Sequence, residues 1–368
     1  MSSPRGLSAQ ERRDWLRLAR SEGVGPVTFF GLMARCGSPG AALEALPGLA
    51  RNAGRRSLKL ADPAAIDREI AATTALGARI VAACEPDYPP ALAALTPPPP
   101  VITLRGEASL AARRCVAIVG ARNATGAGLK LTRQIAAGLG AAGVVVVSGL
   151  ARGIDGAAHS TALASGTIAV VAGGIDHVYP SEHADLHAAI ADRGLIVSES
   201  AYGHDVQARD FPRRNRLISG LSLGVIVVEA ELRSGSLITA RTALEQGREV
   251  FAVPGHPLEP RSAGPNSLLR QGATLVESAE DVLAALQQAA PAACAPSGPG
   301  FSGAQLAPDA LARLAERLDE LVSTTPMMLD ELARETGAGV GAVAAALVEL
   351  ELSGRVTLSA SGAVSRAG

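Results

Sequence analysis

The sequence is poor in lysine, cysteine and long apolar runs, and each of these shortages excludes certain kinds of site or protein class. Only Lys59 and Lys130 are lysines, so arginine carries almost all of the positive charge, and its planar guanidinium suits phosphate. None of the four cysteines forms a CxxC pair, which excludes that kind of metal site and indicates thiols in a reducing compartment. No uncharged run could span a bilayer, and no early apolar stretch resembles a signal peptide. We therefore predict a cytoplasmic protein with no membrane span.

Charge is unevenly distributed along the chain. The whole protein has a net charge of −1, which by itself indicates no polyanionic partner. Residues 1–60 contain ten basic and four acidic residues, a net charge of +6, whereas residues 301–368 contain five arginines and nine acids, a net charge of −4. We expect a polyanion to avoid the C-terminal region.

The chain divides into four predicted regions, which are a helical domain (1–79), an α/β domain (80–289), a flexible linker (290–306) and a C-terminal domain (307–368). The first contains two amphipathic helices, 11–21 and 27–36, joined by Gly23-Val24-Gly25-Pro26. That turn either connects the helices or offers backbone N–H groups to a DNA phosphate. The linker is rich in Ala, Pro, Gly and Ser.

Short apolar runs alternate with helical stretches in the α/β domain, after a proline-rich, extended lead-in at Tyr88-Pro89-Pro90 and 97–100. Such alternation indicates a Rossmann-like parallel sheet covered by helices on both faces. The predicted strands are 116–119, 144–147, 168–172, 195–197, 224–228 and 249–253. The predicted helices are 127–140, 156–164, 181–191, 212–220 and 237–247.

The C-terminal domain has the order of a winged helix. Helices 329–335 and 340–352 flank the Thr336-Gly337 turn, and 356–364 would form the wing. The second helix has no Arg or Lys, so we expect a protein-contact or regulatory role for this domain and not the main reading of DNA. The predicted fold class is α/β, a Rossmann-like domain with an N-terminal helical domain of the SAM or helix-hairpin-helix type and a C-terminal winged helix.

Arginines follow several strands of the predicted sheet. Ligands bind beyond the carboxyl ends of parallel strands, so these loops should converge at one rim. Three arginines at the start of one predicted helix also suggest a bound anion, since cations are disfavoured there. The loop after the first predicted strand, Gly120 to Thr125, is not a GxGxxG motif, so dinucleotide binding is not indicated. We predict no cofactor. The predicted DNA- or phosphate-binding residues are Gly120, Arg122, Thr125, Gly149, Arg152, Gly153, Arg213, Arg214, Asn215, Arg216, Arg233, Ser234, Gly235 and Ser236.

Aromatic residues make up only 2% of the chain, yet Tyr179, Tyr202 and Phe211 fall in the same rim loops. They either stack on bases or plug the end of the sheet. Three other residues there could be catalytic, namely Asp155, His159 and Glu229. A helix cap for Asp155 and a structural role for His159 are the favoured interpretations, and we predict neither catalytic residues nor a metal site.

The loops closely resemble the DNA-processing protein A family across the whole α/β domain. The matching segments are Val119-Gly120-Ala121-Arg122, Ser148 to Asp155 with Ala158-His159, Ala172 to Asp176 with Tyr179-Pro180, Phe211 to Arg216, Val228-Glu229-Ala230, Arg233 to Ala240, Val253-Pro254-Gly255 and Gly264-Pro265-Asn266. The terminal regions resemble the family's accessory domains more loosely.

The resemblance implies a dimeric protein of natural transformation that binds single-stranded DNA. Such a protein protects incoming strands, loads a RecA-type recombinase onto them and displaces single-strand-binding protein. It also implies that Arg122 and Arg152 contact DNA. The family usually has Ser where this chain has Ala121 and an aromatic residue where it has Ala127, so one donor and one aromatic group are absent here.

Two other functions remain open from the sequence. One is a nucleotide-processing hydrolase on a related fold, with Glu229 as the acid, although the PGGxGT-like loop of such enzymes is absent. The other is a transcription regulator acting through the winged helix, against which the negative charge of that region argues. We predict a binding protein and not an enzyme.

Overall fold

The computed structural model describes residues 6–52, 59–288, 308–358 and 363–367. The predicted linker 290–306 and the tip of the predicted wing, 359–362, lie outside these ranges. None of the helices within these ranges combines the length and the apolar composition that a transmembrane span requires.

The N-terminal region is helical, as predicted. A capping box formed by Ser8 and Glu11 starts the first helix, and Gly37, in the left-handed conformation at φ 78°, ends the second. Their apolar faces enclose a small core around Trp15 and Phe29, whose ring centroids lie 4.9 Å apart. The helices are α1 (Ala9–Arg20), α2 (Pro26–Cys36), α3 (Pro39–Asn52) and α4 (Pro63–Ala75).

Within the described residues, nine strands form one sheet in the order β1-β2-β6-β5-β4-β3-β7-β8-β9. The strands from β6 to β9 in that order are parallel, whereas β2 runs antiparallel to β6 and β1 antiparallel to β2. The strands are β1 (Ala78–Ala82), β2 (Val101–Gly106), β3 (Cys115–Val119), β4 (Val145–Ser148), β5 (Thr167–Val170), β6 (Leu195–Ser198), β7 (Gly224–Val227), β8 (Glu249–Ala252) and β9 (Thr274–Leu275).

The six predicted strands are β3 to β8, and they are buried on both faces because helices cover the sheet. Val145 and Val147 point into one apolar layer, while Val146 and Ile118 point into the other. The helices are α5 (Pro90–Ala93), α6 (Gly126–Ala141), α7 (Ile154–Ala162), α8 (Ala184–Arg193), α9 (Asp210–Gly220), α10 (Gly235–Glu245), α11 (Ala263–Arg270) and α12 (Ala279–Gln288). Short 3-10 helices lie at Ala108–Ala112, Ser181–His183 and Pro260–Ser262.

The C-terminal region is a winged helix, which confirms the prediction. Gly337, at φ 67°, makes the turn between the two helices of the helix-turn-helix. A further strand, β10, pairs with the wing and was not indicated by the sequence pattern. The elements are α13 (Pro308–Leu321), β10 (Met327–Met328), α14 (Leu329–Thr336), α15 (Val340–Leu352), β11 (Val356–Leu358) and β12 (Ala363–Arg366).

The order of strands in the sheet positions the candidate site. The chain moves outward in one direction from β3 to β4, β5 and β6, and then returns to place β7 on the other side of β3. Loops that leave β3 on one side and β7 on the other therefore separate and leave a crevice beyond their carboxyl ends.

Candidate nucleic-acid interface

Two adjoining cavities, each of about 370 Å³, lie beyond the carboxyl ends of the central strands. The first cavity opens between the loop after β3 and the start of α10, and the second between the loops after β3, β4 and β5. Together they form what we call the crevice. The residues that line both cavities are Arg122, Asn123, Ala151, Phe211 and Arg214.

Arg122 and two aromatic rings form the ridge between the cavities. The guanidinium carbon of exposed Arg122 lies 5.0 Å from the centroid of the Phe211 ring, within cation–π distance. The Phe211 ring lies 5.6 Å from that of Tyr179, which is 44% exposed at the mouth of the second cavity. Tyr202 is also exposed, but it does not line either cavity. The structure therefore brings two of the three predicted aromatic residues together.

Arg214 forms the floor of the crevice. Its side chain is buried and donates hydrogen bonds to the carbonyl oxygens of Gly149 and Val170 at the ends of β4 and β5. Burial lowers its pKa to about 10, so it stays charged at neutral pH, and its Nε has no hydrogen-bond partner among the described residues. A Cβ on Gly149 would collide with this guanidinium, so glycine is required there to admit it. A buried cation lies where the two cavities meet.

Asp155 balances part of that charge. Its buried carboxylate accepts hydrogen bonds from the backbone N–H groups of Gly149 (3.1 Å) and Ala151 (3.3 Å). Burial raises its pKa, against the opposing effect of Arg214. The interpretation of Asp155 as a helix cap is wrong, because α7 begins at Ile154 and its N-cap is Gly153, at φ 72°. The N–H groups of Gly149 and Ala151 are thus already engaged by a carboxylate inside the protein.

A carboxylate, that of Glu229, also occupies the start of α6, where an anion could otherwise bind. The hydroxyl of Thr125 donates to Glu229 Oε1 (2.5 Å), and the Thr125 N–H donates to Oε2 (2.9 Å). Thr125 also caps the helix by accepting from the Gly128 N–H. The expected phosphate contact of Thr125 is therefore corrected to a capping role, since Glu229 takes the place of the anion. Gly120 lies beside this turn, where a Cβ would come within 2.7 Å of Ile154 Cγ1.

His159 is a structural residue. The ring is fully buried, and Nδ1 lies 2.7 Å from the hydroxyl of Thr167. Burial lowers its pKa to about 3, so it is neutral at physiological pH. A ring that is fully buried cannot reach a substrate in the crevice, which supports the interpretation that the sequence favoured.

The four residues Arg213 to Arg216 diverge because successive helical residues turn by about 100°. Arg214 enters the crevice, whereas Arg213 and Arg216 both pair with Glu199, which lies just after β6. Arg216 is only 4% exposed, and its expected contact with phosphate is corrected to a buried ion pair. Burial opposes ionisation of Glu199, but Arg216 and Arg213 outweigh it and hold its pKa below the usual range. An internal carboxylate therefore compensates these arginines.

Arg152 and the segment from Arg233 to Ser236 are placed as the sequence predicted, at the edges of the crevice. Arg152 lines the second cavity and pairs with Glu182 (2.6 Å), both side chains being about half exposed. Exposed Arg233 lines the first cavity beside the start of α10, where Ser234 is the N-cap. Asn215 donates to the Gly235 carbonyl (3.2 Å), which ties α9 to this segment.

Sequence reasoning missed Asn123 and Arg261 as lining residues. Asn123 is exposed between the two cavities, directly after Arg122. Arg261 reaches the first cavity from a 3-10 helix beyond β8 and pairs with Glu259 (3.0 Å). The position of Asn123 could have identified it, because it lies in the loop after β3 that also carries Arg122. Arg261 is nine residues after β8 and carried no such signal.

The chemistry of the crevice is that of an anion-binding surface. Arg122, Arg152, Arg233 and Arg261 reach it from four different loops around the buried charge of Arg214. In the described ranges, no group of three or more His, Cys, Asp or Glu side chains could hold a metal ion. The two candidate catalytic acids, Asp155 and Glu229, accept hydrogen bonds from the protein's own backbone N–H groups.

Comparison with protein-family models assigns all three regions. Residues 79–287 match the model of DNA recombination-mediator protein A, residues 9–72 match the DprA-like N-terminal HHH domain, and residues 302–362 match the DprA winged helix domain. The first of these matches covers more than half of the chain.

Curated relatives and solved structures agree with the family models. Protein Smf of Escherichia coli is 42% identical over 276 residues, which are 73% of this chain and 72% of the relative, and DNA processing protein DprA of Bacillus subtilis is 42% identical over 226 residues, 61% and 76% of the two chains. The structure of DNA processing protein A from Streptococcus pneumoniae is similar at a TM-score of 0.62 and 32% identity, covering 76% of this chain and 98% of that one. A structure of the Helicobacter pylori protein, whose description concerns its single-stranded DNA binding mode, has a TM-score of 0.53 and 31% identity over 57% of this chain and 96% of that one. On these matches, the chain belongs to the DNA recombination-mediator protein A family.

Proposed function

We propose that this protein binds single-stranded DNA in the crevice and acts as a recombination mediator in natural transformation. The observation that carries the proposal is the convergence of Arg122, Arg152 and Arg233 around buried Arg214, next to the paired rings of Tyr179 and Phe211. Arginines suit phosphates and flat rings suit unpaired bases, a combination typical of single-strand binding. The solved relative from Helicobacter pylori, described as a single-stranded DNA-binding protein, supports this choice of ligand.

The two cavities suit different parts of a nucleotide. The first has Arg233, Ser234 and the backbone of Gly235 at the start of α10, a setting that favours a phosphate. The second has the exposed ring of Tyr179 on one wall and Arg152 on another, a setting that favours a stacked base between charged contacts. We propose that one strand crosses the Arg122 ridge, with phosphate on one side and base on the other.

Binding without catalysis is the second part of the proposal. Asp155 and Glu229 accept hydrogen bonds from backbone groups, and His159 is buried and neutral. These engagements leave none of the three suited to general acid–base chemistry in the crevice. We therefore propose that the protein is not an enzyme and needs no cofactor, against the alternative of a nucleotide-processing hydrolase.

The partners follow from the family and are proposed with the function. They are a RecA-type recombinase loaded onto the bound strand, single-strand-binding protein displaced from it, and a second copy of this chain. A homodimer would present two crevices to one strand and raise its effective affinity through linked sites. Light scattering at micromolar concentration checks the dimer, and a monomeric mass would count against it.

A gel-shift comparison of single-stranded and duplex DNA, combined with a hydrolysis assay, tests which ligand the protein binds and whether it is an enzyme. We expect a single strand to bind more tightly than a duplex of the same length, with no dependence on sequence. Nucleotides and DNA incubated with the protein should remain intact. Preferential binding of duplex, or a hydrolysis rate that vanishes in Glu229→Gln, would favour one of the alternative functions.

A further inference from the structure

The second helix of the helix-turn-helix, α15, packs against α2 of the N-terminal helical region. Val27 of α2 belongs to the apolar core of the winged helix, and Val348 of α15 belongs to that of the N-terminal helices. The backbones come so close that a Cβ on Gly31 would lie 2.5 Å from the Ala344 carbonyl oxygen. The helix that reads DNA in many winged helices is therefore covered by the chain's own N-terminal region.

A polar contact accompanies this packing. The hydroxyl of Thr28, in the first turn of α2, donates a hydrogen bond to the Glu351 carboxylate at the end of α15. The N-cap of α2 is Gly25, which supplies no side-chain hydrogen bond to the helix start. A carboxylate is favoured there because the first turn of a helix exposes N–H groups and a partial positive charge.

Glu351 lies at the edge of a third cavity, of about 560 Å³, which we call the groove. The walls come from α1 and α2, from the segment around α9, and from the winged helix. Three arginines and three acids line it, namely Arg20, Arg209, Arg213, Glu199, Asp210 and Glu351. Two of these arginines are paired inside the protein, Arg20 with Glu69 (2.9 Å) and Arg213 with Glu199 (3.1 Å), whereas Arg209 is exposed. Glu351 is the one acid of the three that the winged helix contributes, so its removal would make the groove more positive by one charge.

The groove and the crevice share helix α9. Arg214 faces the crevice, and the preceding residue, Arg213, lines the groove on the other side of the helix. A strand that leaves the crevice past α9 would therefore meet the groove next. The opposite net charges of the two terminal regions, +6 for residues 1–60 and −4 for residues 301–368, favour the docked arrangement.

We propose that the winged helix is an acidic gate over a second stretch of the single-strand path. In the docked arrangement, the Glu351 carboxylate repels phosphate at the edge of the groove, and undocking of α15 from α2 removes that carboxylate and opens the groove to phosphates of a strand already held in the crevice. The inference rests on the proposed function, since the crevice supplies the first contact. It assigns the winged helix a regulatory role toward the same ligand.

Gly31→Ala in the full-length protein tests the gate. Alanine favours the helical conformation of α2 but has no room against Ala344, so the variant should undock α15 without unfolding α2. Gly48→Ala is the matched control, because Gly48 lies in helix α3 with nothing within 4 Å of the added Cβ. Hydrogen exchange of the α15 amides should rise in Gly31→Ala and not in Gly48→Ala.

Oligothymidylates of about 6 and about 20 nucleotides then separate crevice from groove. We expect Gly31→Ala to bind the long strand several-fold more tightly, with a salt dependence steeper by about 0.7 for each additional phosphate, and the short strand unchanged. Glu351→Gln should shift long-strand binding in the same direction with α15 still docked. Because this substitution removes only charge, it tests the gate even if Gly31→Ala fails to fold.

Three outcomes would overturn the gate. The first is unchanged long-strand binding in Gly31→Ala despite faster exchange in α15. The second is unchanged exchange in α15, which would refute the packing argument, and the third is unchanged long-strand binding in Glu351→Gln. Failure of the unaltered protein to bind either strand would instead refute the proposed function, and the gate with it.

Discussion

Replacing Arg122 with alanine should weaken single-strand binding, and the loss of affinity should be larger at lower salt concentration. Arg122 is exposed on the ridge between the two cavities and packs on Phe211, with no carboxylate partner among the described side chains. A phosphate bound there would gain the full electrostatic attraction of Arg122, because no ion pair would have to break first. The substitution should therefore remove about one phosphate contact and leave the fold intact.

The expected magnitude follows from counterion release. Each phosphate contact on a single strand contributes about 0.7 to the slope of log K against log salt concentration. Loss of one contact should raise Kd about 4-fold at 0.15 M salt and about 8-fold at 0.05 M, with almost no difference near 1 M. Arg122→Ala should thus flatten the salt dependence by about 0.7.

Fluorescence anisotropy of a labelled oligothymidylate over this salt range provides the measurement. Arg193→Ala is the matched control, because exposed Arg193 ends α8 beside the amino end of β6, away from the crevice. The control should match the unaltered protein at every salt concentration. Equal slopes for Arg122→Ala and Arg193→Ala would refute the placement of the strand on the ridge.

Three further substitutions follow from ion pairs and burial. Glu182→Gln frees Arg152 from its exposed partner, so we expect single-strand binding about 2- to 5-fold tighter by anisotropy, and no gain would show that Arg152 does not contact DNA. Glu199→Leu leaves Arg216 buried and unpaired, so the free energy of unfolding in a denaturant titration should fall by about 3–5 kcal/mol. The double variant Glu199→Leu/Arg216→Met should regain much of that loss, and a double variant no more stable than Glu199→Leu would contradict the reasoning. The pKa of His159 is about 3 in the folded protein and about 6.5 when unfolded, so below pH 6.5 the unfolded state binds a proton that the folded state does not. Acidification from pH 7 to pH 5 should therefore lower the free energy of unfolding of the unaltered protein by about 2 kcal/mol more than that of His159→Asn. Identical pH dependence of thermal unfolding in the two proteins would show that His159 is not held neutral by burial.

The central strands and the arginine-bearing loops could be predicted from the amino-acid sequence alone. Strands β3 to β8 are continuous apolar runs because helices cover both faces of the sheet, and this signature is readable without a structure. Parallel strands place their following loops at one rim, so the gathering of Arg122, Arg152 and Arg233 could be predicted. The winged helix was also predictable, since its helices and turn are local in sequence.

The sequence did not indicate β1, β2 or β9. The first two flank a proline-rich segment that was interpreted as an extended lead-in, and β9 has only two residues, Thr274–Leu275. Strands of this kind are defined by the neighbour with which they pair and not by their own pattern. Pairing of β2 with β6 is a contact across about 90 residues, which only the folded chain creates.

Which charged groups face the crevice, and which pair with other groups inside the protein, depends on the folded arrangement of distant segments. Arg214 and Arg216 are two residues apart on one helix, yet one lies under the crevice and the other pairs with Glu199, because the helix turns between them. Glu229 reaches Thr125 from more than 100 residues away and closes a helix start that the sequence offered to phosphate. The docking of α15 on α2 likewise joins the two ends of the chain. Local patterns specify elements and loops, but the partner of a charge depends on distances that folding alone sets.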